Sequence, residues 1–261
     1  NASGSSDFGD VAEYHTNIVD QVVEVDEALM AEYLEKGEVS PDALREPFKR
    51  AMREGHLIPV FFTAARDNVG VKELMDLIAY LCPNPLQGNP RTFEFTKGGE
   101  LKQWHAEPDP SKAAMAHVFK VASDRFVGKR SVFRVHQGTI KWGETFHVDD
   151  HKKPVRVAHV FKLQGKQHTE VPAIVAGDIG AVSKIDEIKY NSVLHGADIA
   201  DHIHLKPLPL PKPMFGLAIE GATKGAETKL GEALHKMLDE DPTLELERVR
   251  ESWLKKKLAL T

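Results

Sequence analysis

The sequence predicts a multi-domain protein built round an all-β barrel, with part of an α/β unit before it and part of an α+β unit after it. Three observations carry that prediction. Between residues 116 and 205 apolar residues recur at period two in runs such as AHVFKV and SVFRV, and Gln137-Gly138 and Trp142-Gly143 break them at turn spacing. Ahead of this region lies an unbroken apolar run, LIPVFF at 57–62, then a helical stripe; behind it come the apolar runs MFGLAI and LELERV with a helical stripe between them. Charge is divided the same way, because residues 116–168 carry 11 Lys or Arg against 4 Asp or Glu in a chain whose formal net charge is -5.

The bounds on the whole chain are broad. At 261 residues it can hold two domains and a real core, and its 41% hydrophobic and 28% charged content is that of an ordinary globular protein. Cys82 is its one cysteine, so no intrachain disulfide can form and a reducing, cytoplasmic setting is expected. No apolar run nears the roughly 20 residues that span a bilayer, so no membrane partner is expected. Residues 1–6 are small and polar with no initiator Met, the composition of a cloning scar or trimmed start, and the expectation is a fragment of something longer.

From 7 to 57 the pattern is helical and acidic. Val11, Tyr14, His15, Ile18, Val22 and Val25 form one stripe and Leu29, Met30, Tyr33 and Leu34 a second, which Gly37 stops. Ser40-Pro41-Asp42 starts a third helix, with Ser at the N-cap and Pro at its first position. Up to Pro59 there are 13 acidic and 5 basic residues, which reads as a solvated helical face. Residues 58–85 hold the next step. LIPVFF suits a strand buried on both faces, as in a parallel sheet, and the turn 63–70 leads to a helix striped by Val71, Leu74, Met75, Leu77, Ile78 and Leu81. Residues 86–112, dense in Pro and Gly, read as a linker in which 94–96 could pair as a short edge strand. The barrel occupies 113–206, with a strand over 155–163, a polar loop over 164–170 and a strand over 179–185. LPLPKP is a second linker within 207–249, ahead of a helix over 223–239 flanked by possible strands at 214–219 and 244–249; 250–261 stay unassigned.

These residues resemble one family. PVFFTAARDNVGVKELMDLIAYLCPNP resembles the end of the GTPase domain of elongation factor G, where a Ser-Ala dipeptide follows such a strand. The dipeptide falls on Ala64 and Ala65, and the resemblance implies that backbone N–H groups there contact the guanine O6. The helices before Pro59 then match the tail of the insertion that this family carries inside its GTPase domain. DRFVGKRSVFRVHQGTIKWGETF and AGDIGAVSKI are similar to the barrel that follows the GTPase domain, and Arg134 to Thr139 is the most specific run. A strand, a helix and then EDPTLELERV resembles the opening of the third domain, of split β-α-β fold.

The chemistry of a complete GTPase is not in this sequence. A P-loop needs Gly-x-x-x-x-Gly-Lys-Ser/Thr so that backbone N–H groups and the Lys neutralise phosphates, and at Gly128-Lys129 the first Gly is replaced by Ser123. The Asn-Lys-x-Asp motif is absent, and Asp67-Asn68-Val69-Gly70 matches a magnesium loop only in the base-binding turn, where chance explains it. The resemblance implies GTP and Mg²⁺ for an intact parent; the chain itself is expected to need neither and to be inactive alone. His202 and His204 would share one strand face, but no third zinc ligand accompanies them. No Ser-His-Asp or Cys-His spacing supports nucleophilic catalysis.

The cations Arg125, Lys129, Arg130, Lys152, Lys153, Arg156 and Lys162 remain. Two readings stand for them: a solvated barrel surface, or a cluster in turns that meets a phosphate backbone. The resemblance implies docking on the ribosome through small-subunit rRNA, with the tRNA-mRNA complex reached indirectly, by a monomer in which the parent's GTP hydrolysis accompanies translocation. A paralogue of ribosomal protection or peptide-release type, and a non-enzymatic RNA- or protein-binding barrel, are the alternatives.

Overall fold

A computed structural model describes residues 5–88, 91–124, 128–151, 153–197, 199, 203–219, 221, 223 and 225–247, and the chain divides into two compact units, 1–89 and 90–261. In the first unit β1 (Ser5–Ser6) pairs with β2 (Gly9–Asp10), so the expected polar leader is partly structured. Three helices come next: α1 (Val11–Val23), α2 (Glu27–Lys36) and α3 (Pro41–Glu54). Their starts are set by capping chemistry. Asp10, Asp26 and Ser40 each accept a first-turn N–H, from Ala12, Leu29 and Ala43 respectively, and Gly37 and Gly55 end α2 and α3 at φ 74° and 80°. Val19, Val22, Val23, Leu29, Ala51 and Leu57 form the buried interior of this bundle.

Beyond Leu57 the expected buried strand does not form. Residues 58–62 belong to no strand, and Ile58 and Phe62 are 81% and 70% exposed. A parallel strand is stable only between hydrogen-bonded neighbours, and among the described residues of this unit none lies alongside. The 3-10 turn (Ala65–Asp67) and α4 (Val71–Leu81) form as the pattern predicts.

The second unit opens on a hairpin where the sequence predicts a linker. β3 (Phe93–Lys97) and β4 (Glu100–Trp104) turn about Gly98-Gly99, the glycine pair that a two-residue loop with positive φ requires. The barrel strands are β5 (Met115–Asp124), β6 (Gly128–Gln137), β7 (Thr139–Lys141), β8 (Thr145–Val148), β9 (Val155–Arg156), β10 (Val160–Gln164), β11 (Gln167–Val171), β12 (Ala173–Val175), β13 (Ile179–Ser183) and β14 (Val193–His195). β15 (His204–Leu205) returns to pair with β3. Two expectations change in detail. The single strand expected over 155–163 is interrupted into β9 and β10, and the polar loop over 164–170 is mostly β11, turned back on β10 through Gly165-Lys166.

Eight strands form one antiparallel sheet in the order β11-β10-β13-β6-β5-β14-β8-β9, and β7 pairs with β12. That sheet is curled. Phe146 and Val155, near one edge, share a buried cluster with Val160, near the other, which a flat sheet about 30 Å wide would keep apart. Val118, Phe133, Val135, Ile140, Ile174 and Leu194 fill the middle. A second core, Phe93, Met115, Val193, Ile203 and Leu205, lies between the β3-β4-β15 sheet and the barrel strands. Phe133 is 0% exposed, so Phe133→Ala should cost about 3–5 kcal/mol in a urea titration.

After the barrel the chain yields a helix, α5 (Glu227–Glu240), four residues later in its start than the periodicity predicts. The flanking segments 214–219 and 244–247 carry no paired strand, and Met214, Phe215 and Leu217 are 97%, 81% and 76% exposed. As with 58–62, the strand pattern is present but partner strands are not, so the split β-α-β segment contributes its helix alone among the described residues. Residues 250–261, Arg125, Lys152 and His202 fall outside those residues.

Candidate nucleic-acid interface

Strand geometry sorts the sequence-predicted cations. Lys129 and Arg130 are neighbours in the chain but sit on opposite faces of β6. Lys129 is registered against Ser123 and shares its face with buried Ser131 and Phe133. There its ammonium donates to Asp239 Oδ2 at 2.9 Å and to the Asp186 carbonyl at 3.2 Å, leaving the side chain 11% exposed. Arg130 is registered against Ala122 on the outer face, in line with Val132 and Arg134, and has no ion-pair partner among the described residues.

At β9 and β10 the same rule applies. Val155 enters the core, so Arg156 points outward and is exposed, as is Lys153 just before the strand. Lys162 shares a face with Val160 and is held by the Asp178 carboxylate. Partial burial would raise the Asp178 pKa, but the Lys162 ammonium and the Ile179 N–H outweigh it and keep the carboxyl below its usual range. Two of the five described candidates are therefore neutralised by the chain itself, and Arg130, Lys153 and Arg156 remain outward.

Two outward cations escape the sequence reading. Lys120 on β5 is registered against Val132, and Arg134 lies two residues beyond it on β6, so Lys120, Arg130 and Arg134 make one outer-face ladder. The signal is legible in the sequence: Arg130 and Arg134 are four apart on a strand, which places them on one face. The ladder continues into His136 and His117, which the β3 sheet covers. Phe93 meets the His136 ring edge-on at 5.2 Å, and His117 Nε2 lies 3.0 Å from Asn191 Oδ1. Burial, then the charges of His117, Arg134 and Arg91, hold the His136 imidazole down at about 4. Burial also lowers His117, against the Asn191 hydrogen bond.

The expected guanine contacts are in the first unit. Ala64 N–H donates to the Val69 carbonyl at 3.0 Å and its carbonyl accepts from Val69 N–H at 3.1 Å, closing the turn. The Ala64 amide is thus engaged within the loop, while Ala65, which begins the 3-10 turn, keeps its N–H outside that bridge. Among the described residues no group of three or more His, Cys, Asp and Glu could hold a metal, and His204 instead faces Glu94 at 3.7 Å.

Known proteins share both this barrel and the segment after it. Residues 113–196 match the family described as Elongation factor G domain 2, and residues 210–253 match Elongation Factor G, domain III. A crystal structure of a Thermus thermophilus protein superposes with a TM-score of 0.73 at 30% identity over 92% of this chain. The chain carries two successive domains of the elongation factor G family. It spans 33% of the Thermus protein's length, and within it the two matched regions are in family order.

In this chain the most family-like run, Arg134 to Thr139, is a fastener. Buried Gln137 donates to the Ala113 carbonyl at 3.0 Å and accepts from Glu107 N–H at 3.1 Å. Gly138 N–H donates to the Asp109 carbonyl at 2.9 Å, and the Thr139 hydroxyl to the Pro110 carbonyl at 2.9 Å. Between them these bonds pin segment 107–114 to the barrel. Among the described residues no helix is long and apolar enough to cross a membrane.

Proposed function

We propose that this chain carries the ribosome-docking barrel of a GTP-dependent elongation factor, and that the barrel binds small-subunit rRNA through phosphate contacts during translocation. The observation that carries the reading is the placement of Lys120, Arg130 and Arg134 along one outer strand face of the domain that matches elongation factor G domain 2. Cations on paired strands meet a regular polyanion without further ordering of the backbone, and contacts of this kind ignore base sequence. Lys153 and Arg156 extend the cationic surface at β9. GTP and Mg²⁺ belong, in this reading, to the longer protein of which the chain is a part, and the tRNA-mRNA complex is reached indirectly. A monomer in the cytoplasm, with Cys82 exposed and reduced, fits the same picture.

Sedimentation with isolated small ribosomal subunits tests the docking. Retention is expected to fall with salt, and R130E/R134E/R156E should weaken it at least ten-fold while flattening the log-log salt slope by about one unit per contact removed. Equal retention of the triple variant and the unaltered chain would overturn the docking surface. GTP turnover by the purified chain is expected to stay at the buffer background; turnover like that of an intact translational GTPase would contradict the assignment of catalysis to residues outside this chain.

A further inference from the structure

Helix α5 ends in a run of acids, Asp239, Glu240 and Asp241, with no basic residue in its last turn. That is the wrong charge for a helix C-terminus, where the peptide dipoles already concentrate negative potential. Their partners lie on the barrel. Asp239 binds the Lys129 ammonium at 2.9 Å, and a Glu240 carboxylate oxygen accepts from the Ser123 backbone N–H, so the acidic end of α5 closes over the mouth of the β5-β6 hairpin. The helix also lies along β5, with Leu230, Leu234 and Leu238 half-buried. Its N-terminus has no side-chain cap, and Met237 is 53% exposed.

We propose that α5 is a displaceable cover, and that the phosphate backbone of RNA and the acidic end of α5 compete for Lys129. This rests on the RNA-docking reading above. One ammonium cannot neutralise a carboxylate and a phosphate at full strength, so each partner weakens the other by the same factor. With α5 seated, the hairpin presents Arg130 on its outer face and withholds Lys129; with α5 released, Lys129 adds a second cationic contact on the opposite face of the same hairpin. Engagement of the barrel is thereby coupled to release of the domain III helix, through two contacts that salt weakens.

The test uses the full chain and isolated small ribosomal subunits. D239N/E240Q should speed α5 amide exchange about ten-fold even though it improves the helix's own end charge. The same variant should tighten binding to subunits about five-fold at 0.1 M salt. The control E232Q/E245Q removes the same charge from exposed positions on and after α5 and should change affinity less than about two-fold. Lys129→Gln should speed α5 exchange without tightening binding, and saturating subunits should speed α5 exchange in the unaltered chain. Equal tightening by D239N/E240Q and the control, or α5 exchange indifferent to subunits, overturns the competition while leaving docking intact. No binding by any variant overturns both.

Discussion

Gly138→Ala is expected to destabilise the barrel by more than about 3 kcal/mol, enough to leave much of the protein unfolded at 37 °C. Gly138 sits at φ +71°, where an alanine is strained by roughly 1 kcal/mol before anything else is counted. A Cβ there would also lie 2.5 Å from the Lys112 carbonyl oxygen, 2.5 Å from Ala114 Cα and 2.6 Å from Ala114 N. All three are backbone atoms, so no rotamer change relieves the clash. The segment they belong to is the one Gln137 and Gly138 pin down, and separating it breaks the Gly138 to Asp109 bond at 2.9 Å. Gly143→Ala is the matched control, with φ +79° but nothing within 4 Å of the added carbon, and should cost only about 1 kcal/mol. Urea titration of both variants decides it: equal losses would mean that close packing at Gly138 contributes nothing.

Acid should loosen the β3 sheet's hold on the barrel. The His136 pKa is lowered from 6.5 to about 4 in the folded chain. Between those values the unfolded chain takes up a proton that the folded chain refuses, so stability is full above pH 6.5 and is lost as pH falls toward 4. The loss from this residue is at most about 3 kcal/mol. His117 acts in the same sense, since its shift is also downward. Arg91 adds positive charge at both histidines and Arg134 at His136, which reinforces the direction, while the Asn191 hydrogen bond and then Asp149 oppose it at His117. Urea midpoints measured from pH 7.5 to 4.5 should fall for the unaltered chain and fall less steeply for His136→Asn. Parallel curves for the two proteins would show that His136 does not carry the effect.

Much of the fold is legible from local chemistry. Asp26 and Ser40 cap helices as their positions suggest, Gly37 ends one, and the alternation in AHVFKV and SVFRV does become β5 and β6. Gly98-Gly99 between FEFTK and ELKQW carries a hairpin signal, and the surrounding prolines obscure it. In three places the pattern is strand-like and no strand forms: 58–62, 214–219 and 244–247. Apolar alternation states that a segment can pair, while pairing needs a neighbour's backbone, which the segment itself does not encode.

The candidate interface divides along the same line. By itself the sequence determined the helix starts at Asp26 and Ser40, the alternation of β5 and β6, the family resemblance, and the strand period that puts Arg130 and Arg134 on one face, because each depends on residues a few positions apart. Only the tertiary structure decided which cations remain available. Lys129 and Lys162 look as exposed in the sequence as Arg130 and Arg156, yet Asp239, 110 residues away, and Asp178, 16 away, claim them. An ion pair is made by proximity in space, and the folded chain alone sets that proximity.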